Sequence, residues 1–342
     1  MTTEPTRMRR EIDEIPAAVD RLLSRGATAI TAAAEKARAV DPAYLISVAR
    51  GSSDHACSFL KYASELVLRR PMASIGPSVR SIYGVDLMAK GALGIAVSQS
   101  GQSPDIVAMT ESLSRSGAMT VAITNDETSR LANTADVTLP IHAGPELSVA
   151  ATKTFVTSLV AGLWLIAEIA GDDDLLAAIR TLPGHLDKAT GCDWSPAADA
   201  IDGRSLFTLG RGPSWAVSNE AALKFKETCL IHAESYSSAE VLHGPVSIVG
   251  DGFPVIAFAA ADAAEGSIAD TADALAEKGA RVFALTDKVR QATRLPHIRT
   301  GHPLTDPVAS IVSFYGMVEA VAVRRGINPD APRHLNKVTE TV

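Results

Sequence analysis

Short apolar runs centred on Ile46, Met72, Ile95, Val121 and Val137 show no clean alternation of wet and dry positions. That pattern predicts parallel strands covered on both faces, not a sheet with one side in water. Helix-like segments fall between them, over 56–68 and 105–116, and a longer apolar one spans 152–169. Ahead of them, Glu11 to Ala39 reads as helical, with Pro16 interrupting or resetting the first part.

The pattern then returns. YLISVARGSS at 44–53 is echoed by SLFTLGRGPS at 205–214, and GAMTVAITND at 117–126 by GARVFALTDK at 279–288. Gly51 and Gly212 stand 161 residues apart, Gly117 and Gly279 162, so the offset is nearly constant. The expected fold is α/β: two related three-layer domains with mainly parallel sheets. Its expected divisions are a helical segment over 1–40, a first domain over 41–171, a polar linker region over 172–201, a second domain over 202–325 and a polar tail over 326–342.

Composition agrees with this picture and removes some functions. The 342 residues suit about two domains, and 46% hydrophobic content fills substantial cores. A net charge of -7, from 32 basic and 39 acidic residues, argues against a broad nucleic-acid-binding face. Cys57, Cys192 and Cys229 are too scattered for a ligand pair or a disulfide framework, which points to a reducing cytoplasm. No secretory segment is visible. Val156 to Ala170 is short for a membrane crossing and contains Glu168, so it is expected in a core.

The first chemical signal is Ser98-Gln99-Ser100-Gly101-Gln102-Ser103-Pro104-Asp105, lying between an apolar strand and a helix. Gly101 permits a tight turn, Pro104 suits a first helical turn, and Ser98, Ser100 and Ser103 offer hydroxyls beside backbone N–H groups. Such a nest suits phosphate, although the same serines serve equally well in local turn and cap bonding. Ser52 and Ser53 occupy the preceding strand-to-helix turn, at the same carboxyl edge of a parallel sheet. Arg50 fits an anion contact or a salt bridge and is left outside the site. Neither the nucleotide-triphosphate nor the dinucleotide glycine motif is present.

The second half supplies acid–base groups. Glu220, Lys224 and Glu227 follow one another at spacings of four and three, on one helix face. They read either as a structural ion pair with an exposed neighbour, or as a base, Glu227, beside a lysine that holds a substrate oxygen. His243 precedes Gly-Pro on a turn that can direct an imidazole into a cleft, whereas His232 reads as structural. His232, Glu234, Glu240 and His243 match no zinc spacing, so no metal is expected.

Together, ARGSS at 49–53, SQSGQS at 98–103, ATK at 151–153, ALKFKE at 222–227, HAESY at 232–236, LHGP at 242–245 and PRHLNK at 332–337 resemble the isomerase portion of glucosamine-6-phosphate synthase. They also resemble the type II glucosamine-6-phosphate deaminases built from that portion. The resemblance implies paired sugar-isomerase domains and a dimer acting on a phosphorylated amino sugar. It implies that Ser98, Gln99, Ser100 and Ser103 bind phosphate, with Ser52 and Ser53 near the ligand. By the same resemblance Glu227 shuttles the proton between C1 and C2, Lys224 contacts a sugar hydroxyl, and His243 assists ring opening in a neighbouring subunit's site. Lys337 matches the carboxyl-terminal active-site lysine. No redox cofactor or metal is required for this net chemistry.

Two departures stand out. Ala239 and Leu242 replace a glycine and a lysine in the family's Ala-Gly-Glu-Leu-Lys-His run, and Ser-Gly-Gln-Ser replaces the synthase's Ser-Gly-Glu-Thr. The second change leans toward a stand-alone deaminase or deglycase. The chain enters the isomerase-like helix almost at once, with no early cysteine for a glutaminase, so the expected reaction is deamination of glucosamine 6-phosphate to fructose 6-phosphate and ammonia. Its rivals are a fructosamine-6-phosphate deglycase, an ammonia-dependent synthase, a simple aldose–ketose isomerase and a noncatalytic phosphosugar sensor.

Overall fold

The computed structural model describes residues 4–337, so residues 1–3 of the expected amino-terminal segment and 338–342 of the expected tail lie outside it. The chain divides into two compact units, and neither is continuous in sequence. One holds Ala17–Glu146 and Lys153–Arg180 with Asn336 and Lys337; the other holds the residues up to Pro16, Leu147–Thr152 and Thr181–Leu335.

In the first unit, β1 (Tyr44–Val48), β2 (Met72–Ser74), β3 (Ala92–Val97), β4 (Met119–Thr124) and β5 (Val137–Pro140) form one parallel sheet in the order β2-β1-β3-β4-β5. Every residue of β3 and β4 is buried, which is why their sequences do not alternate. The helix Lys153–Ala170 packs on the helices Ala27–Val40 and Ser52–Ala63, and Pro104–Arg115 packs on the strands. Ile46, Val48, Ala96, Ile106, Met109 and Leu113 build a core cluster there.

The second unit repeats the plan. β6 (Ser205–Gly210), β7 (His232–Ser237), β8 (Pro254–Ala257), β9 (Arg281–Ala284) and β10 (Thr293–Arg294) are parallel and ordered β10-β9-β8-β6-β7. Read from the other side, that is the order of the first sheet. The helices Pro213–Cys229 and Asp306–Arg324 pack together, with Phe225 edge-on to Phe314 at 5.3 Å. Asp306–Arg324 and Lys153–Ala170 are long and apolar enough to cross a membrane by length and composition, but 83% of each apolar window is buried inside the protein, which makes them core helices.

The expected linker region over 172–201 is mostly helix, Asp173–Thr190 followed by Ser195–Ala200. Pro183 lies inside the first of these and removes one donor. Leu175, Ile179, Leu182 and Leu186 recur at helical spacing and are all buried, so the apolar stripe outweighs the Pro-Gly signal. At the amino terminus the expected helical region, with its interruption placed at Pro16, is three helices, Arg7–Asp13, Ile15–Arg25 and Ala27–Val40, with breaks at Glu14 and Gly26.

Hydrogen bonds explain why Leu147–Thr152 sits with the second unit. The buried Glu11 carboxylate accepts from the N–H groups of Leu147 and Ser148 and from the Ser148 hydroxyl. Asp330 accepts the N–H groups of Arg7 and Met8 at 2.9 and 2.8 Å, and its carbonyl receives Val149 N–H at 3.4 Å.

Candidate active site

A strand order of 2-1-3-4-5 opens a crevice between β1 and β3, where the connections leave to opposite sides. Ser52 and Ser53 begin the helix after β1, and the 98–103 loop follows β3 directly alongside it, with Val48 paired to Ala96. The structure therefore brings the six predicted phosphate-side residues to one sheet edge.

The 98–103 loop is held from several directions. Ser98 N–H donates to the Ile123 carbonyl at 3.1 Å, Asn125 N–H to Gln99 at 3.1 Å, and Leu131 N–H to Gly101 at 3.0 Å. Gly101 has φ 62°, and a Cβ there would lie 2.1 Å from Ser129 Oγ, so both backbone and space demand glycine. Ser98 Oγ accepts Gly101 N–H at 3.2 Å and Ser100 Oγ accepts Gln102 N–H at 3.3 Å. Turn bonding and anion binding are compatible here, because an oxygen that accepts a bond still has its own proton to donate. Ser103 stands at the N-cap without a side-chain capping bond. Arg50 is a salt-bridge residue, gripping the buried Asp105 at 2.9 and 3.0 Å.

Lys337 joins the same unit. Its ammonium lies 2.8 Å from Glu146 Oε2, and Glu146 also accepts Thr154 N–H at 3.0 Å and the Thr154 hydroxyl at 2.6 Å. Burial alone would raise the Glu146 carboxyl, but Lys337 and Thr154 together hold it below its ordinary value. Sequence reasoning missed Glu146. The signal available was a single acidic residue in the otherwise carboxylate-free stretch 137–152.

The residues expected to supply acid–base chemistry lie in the second unit, on the Pro213–Cys229 helix. Lys224 Nζ is 3.2 Å from Glu220 Oε1 and bonds Glu227 Oε2; Glu220 and Lys224 are wholly buried, while Glu227 keeps 20% of its side chain exposed. Burial works against the lysine's charge, but the two carboxylates outweigh it and raise its affinity for the proton. Helical spacing thus produces an ion triad with one carboxylate reaching outward. His243 is not part of that triad. It follows the short helical turn Glu240–Leu242, is exposed, and among the described residues its ring makes no hydrogen bond or ion pair. No grouping of three His, Cys, Asp or Glu residues suited to a metal is present among the described residues.

The second sheet has its own turn after β8, Phe258-Ala259-Ala260-Ala261-Asp262-Ala263-Ala264, which contains no hydroxyl side chain. Arg299 occupies that edge, donating to the carbonyls of Ala259 and Leu285 and pairing with Glu265 and Asp306.

A SIS-domain family model matches residues 42–168 and 201–300. The chain is 31% identical to the isomerizing glutamine–fructose-6-phosphate aminotransferase of Thermococcus kodakarensis over 97% of its own length and 58% of that protein's. Against the enzyme of the same name from Caulobacter vibrioides the figures are 30%, 96% and 58%. The chain thus spans little more than half the length of these relatives. A candidate phosphosugar isomerase of Silicibacter pomeroyi has a solved structure with TM-score 0.93 and 62% identity, covering 95% of this chain and all of that one. Glucosamine-6-phosphate deaminase of Thermotoga maritima shares the fold at TM-score 0.77 and 23% identity, with 98% of this chain and 100% of that one covered. The chain belongs to the SIS-domain family of phosphosugar isomerases, as a member with two SIS domains related to the isomerase portion of those aminotransferases.

Proposed function

We propose that the protein deaminates glucosamine 6-phosphate, isomerising the amino sugar and releasing ammonia to leave fructose 6-phosphate. The observation that carries the reading is the Glu227–Lys224 contact: an outward-reaching carboxylate kept aligned by a fully buried ammonium, as a proton shuttle requires. The names of the relatives supply the substrate pair, fructose 6-phosphate and glucosamine 6-phosphate.

In this reading the sugar phosphate rests on Ser98, Gln99, Ser100 and Ser103, with Ser52 and Ser53 beside it. Glu227 removes the proton from C2 of the open aldose and returns it at C1, giving a ketose imine. Water adds to the imine carbon and the C–N bond breaks, so the amine leaves as ammonia and the carbonyl of fructose 6-phosphate remains. Lys224, engaged by two carboxylates, keeps Glu227 aligned. His243 assists ring opening from a neighbouring subunit of a dimer, which its exposed turn favours. Lys337, held by Glu146, is the carboxyl-terminal lysine of the site in this reading.

The test is a panel of glucosamine 6-phosphate, glucose 6-phosphate and an N-glycated fructosamine 6-phosphate, following ammonia, fructose 6-phosphate and released amino acid. Ammonia and fructose 6-phosphate from the first sugar, without glutamine, are expected. Turnover of the glycated sugar alone would replace the deaminase with a deglycase.

A further inference from the structure

The Glu227 carboxylate ends a longer chain of buried polar groups, and that chain starts on another helix. Tyr315, on Asp306–Arg324, is wholly buried. Its hydroxyl donates to Glu220 Oε1 at 3.2 Å. The same oxygen is 3.2 Å from Lys224 Nζ, and that ammonium bonds Glu227 Oε2. All four residues belong to one unit. A phenol in the core is thereby linked to a carboxylate at the surface.

Packing alone does not call for this hydroxyl. Phe314 and Phe225 show that the interface between the two helices accepts plain aromatic rings, and a buried hydroxyl costs free energy unless it finds a partner. The partner it finds is Glu220, one of two carboxylates competing for a single ammonium. A hydrogen bond from Tyr315 meets part of Glu220's demand for donors and leaves more of Lys224's attraction for Glu227.

We propose that Tyr315 is a positioning residue for the proton-transfer carboxylate: by donating to Glu220 it sets how Lys224 divides between Glu220 and Glu227, and so holds Glu227 in its working orientation. The inference rests on the assignment of Glu227 as the proton shuttle.

The experiment compares Tyr315→Phe with the unmodified protein by steady-state kinetics on glucosamine 6-phosphate, thermal unfolding, and NMR of the ligand-free protein carrying 13C-carboxyl glutamate. The Glu227 resonance is assigned by its disappearance in Glu227→Gln. The expected result is a kcat lower by about tenfold with KM within about twofold, an unchanged unfolding midpoint and a displaced Glu227 resonance. Unchanged kcat together with an unmoved resonance overturns the proposal. So does a variant that unfolds, or whose kcat, KM and unfolding midpoint all worsen together, because Tyr315 would then be a packing residue. If the unmodified protein turns over no sugar phosphate while the resonance still moves, the relay stands and the deaminase reading fails.

Discussion

Gly51 and Gly212 adopt the same backbone conformation on two different sheets: φ 58° and ψ -133° at one, φ 58° and ψ -138° at the other. Each turns a first strand, β1 or β6, into the helix that follows. Gly117 and Gly279 match in the same way, at φ 89° and 90°. The repeat is therefore preserved as geometry where side chains are absent, and the chemistry was free to change around it.

Alanine at either Gly51 or Gly212 should destabilise its turn by a similar amount. A Cβ at either position meets nothing within 4 Å, so the cost is conformational, about 1–3 kcal/mol at each site. Denaturant melts of the two single variants check this. A neutral Gly51→Ala would show that the turn relaxes.

Ser98→Ala and Ser100→Ala should weaken binding of glucosamine 6-phosphate and leave unphosphorylated glucosamine unaffected. Hydrogen bonds to charged groups contribute about 1.5–3 kcal/mol, and backbone donors in the loop limit the loss. Calorimetry with both sugars is the measurement. Equal affinity of the unmodified protein for the two sugars would remove the phosphate seat.

Glu227→Gln should retain ligand binding and lose C2 hydrogen exchange by about 10²–10⁴-fold, because an amide cannot accept the proton. His243→Asn should instead harm turnover of the cyclic sugar more than steps that begin from the open chain. Deuterium incorporation at C2, followed by NMR beside ammonia release, separates the two. Parental exchange in Glu227→Gln would place the base elsewhere.

Removing the Lys337 ammonium should change how stability responds to pH. In the intact protein the lowered Glu146 carboxyl contributes stability that is fully present above its ordinary value of 4.5 and is lost as the pH falls through the lower folded value. In Lys337→Met burial becomes the leading influence and raises that carboxyl, so the variant's deficit should grow as the pH rises from below 4.5 toward neutrality. At the upper end it should reach about 2 kcal/mol, less than the ~3–5 kcal/mol of a fully buried pair because Lys337 keeps 25% of its side chain exposed. Melts across that range test it; a pH-independent deficit would show that Lys337 does not set the Glu146 charge.

What the sequence revealed and what it hid follow one physical line. Strands β1 to β5, the Gly101 turn and the Glu220–Lys224–Glu227 face were legible because they rest on spacings of a few residues. Glu146 with Lys337 and Glu220 with Tyr315 were not, since 191 and 95 residues separate the partners and nothing local marks them. The helix over Asp173–Thr190 is hidden for a different reason: Pro183-Gly184 interrupts the local pattern, while the apolar stripe on either side of it decides the outcome.

Arg299 gives the duplication a stoichiometry. At the edge of the second sheet, where the first sheet presents three serines, a guanidinium is already neutralised by Glu265 and Asp306 and capped by two carbonyls. A phosphate arriving there would find no free hydroxyl on the 258–264 turn and two carboxylates to repel it. Under the proposed function, these two sheet edges thus carry one phosphate seat, not two, and the edge held by Arg299 serves the stability of the fold.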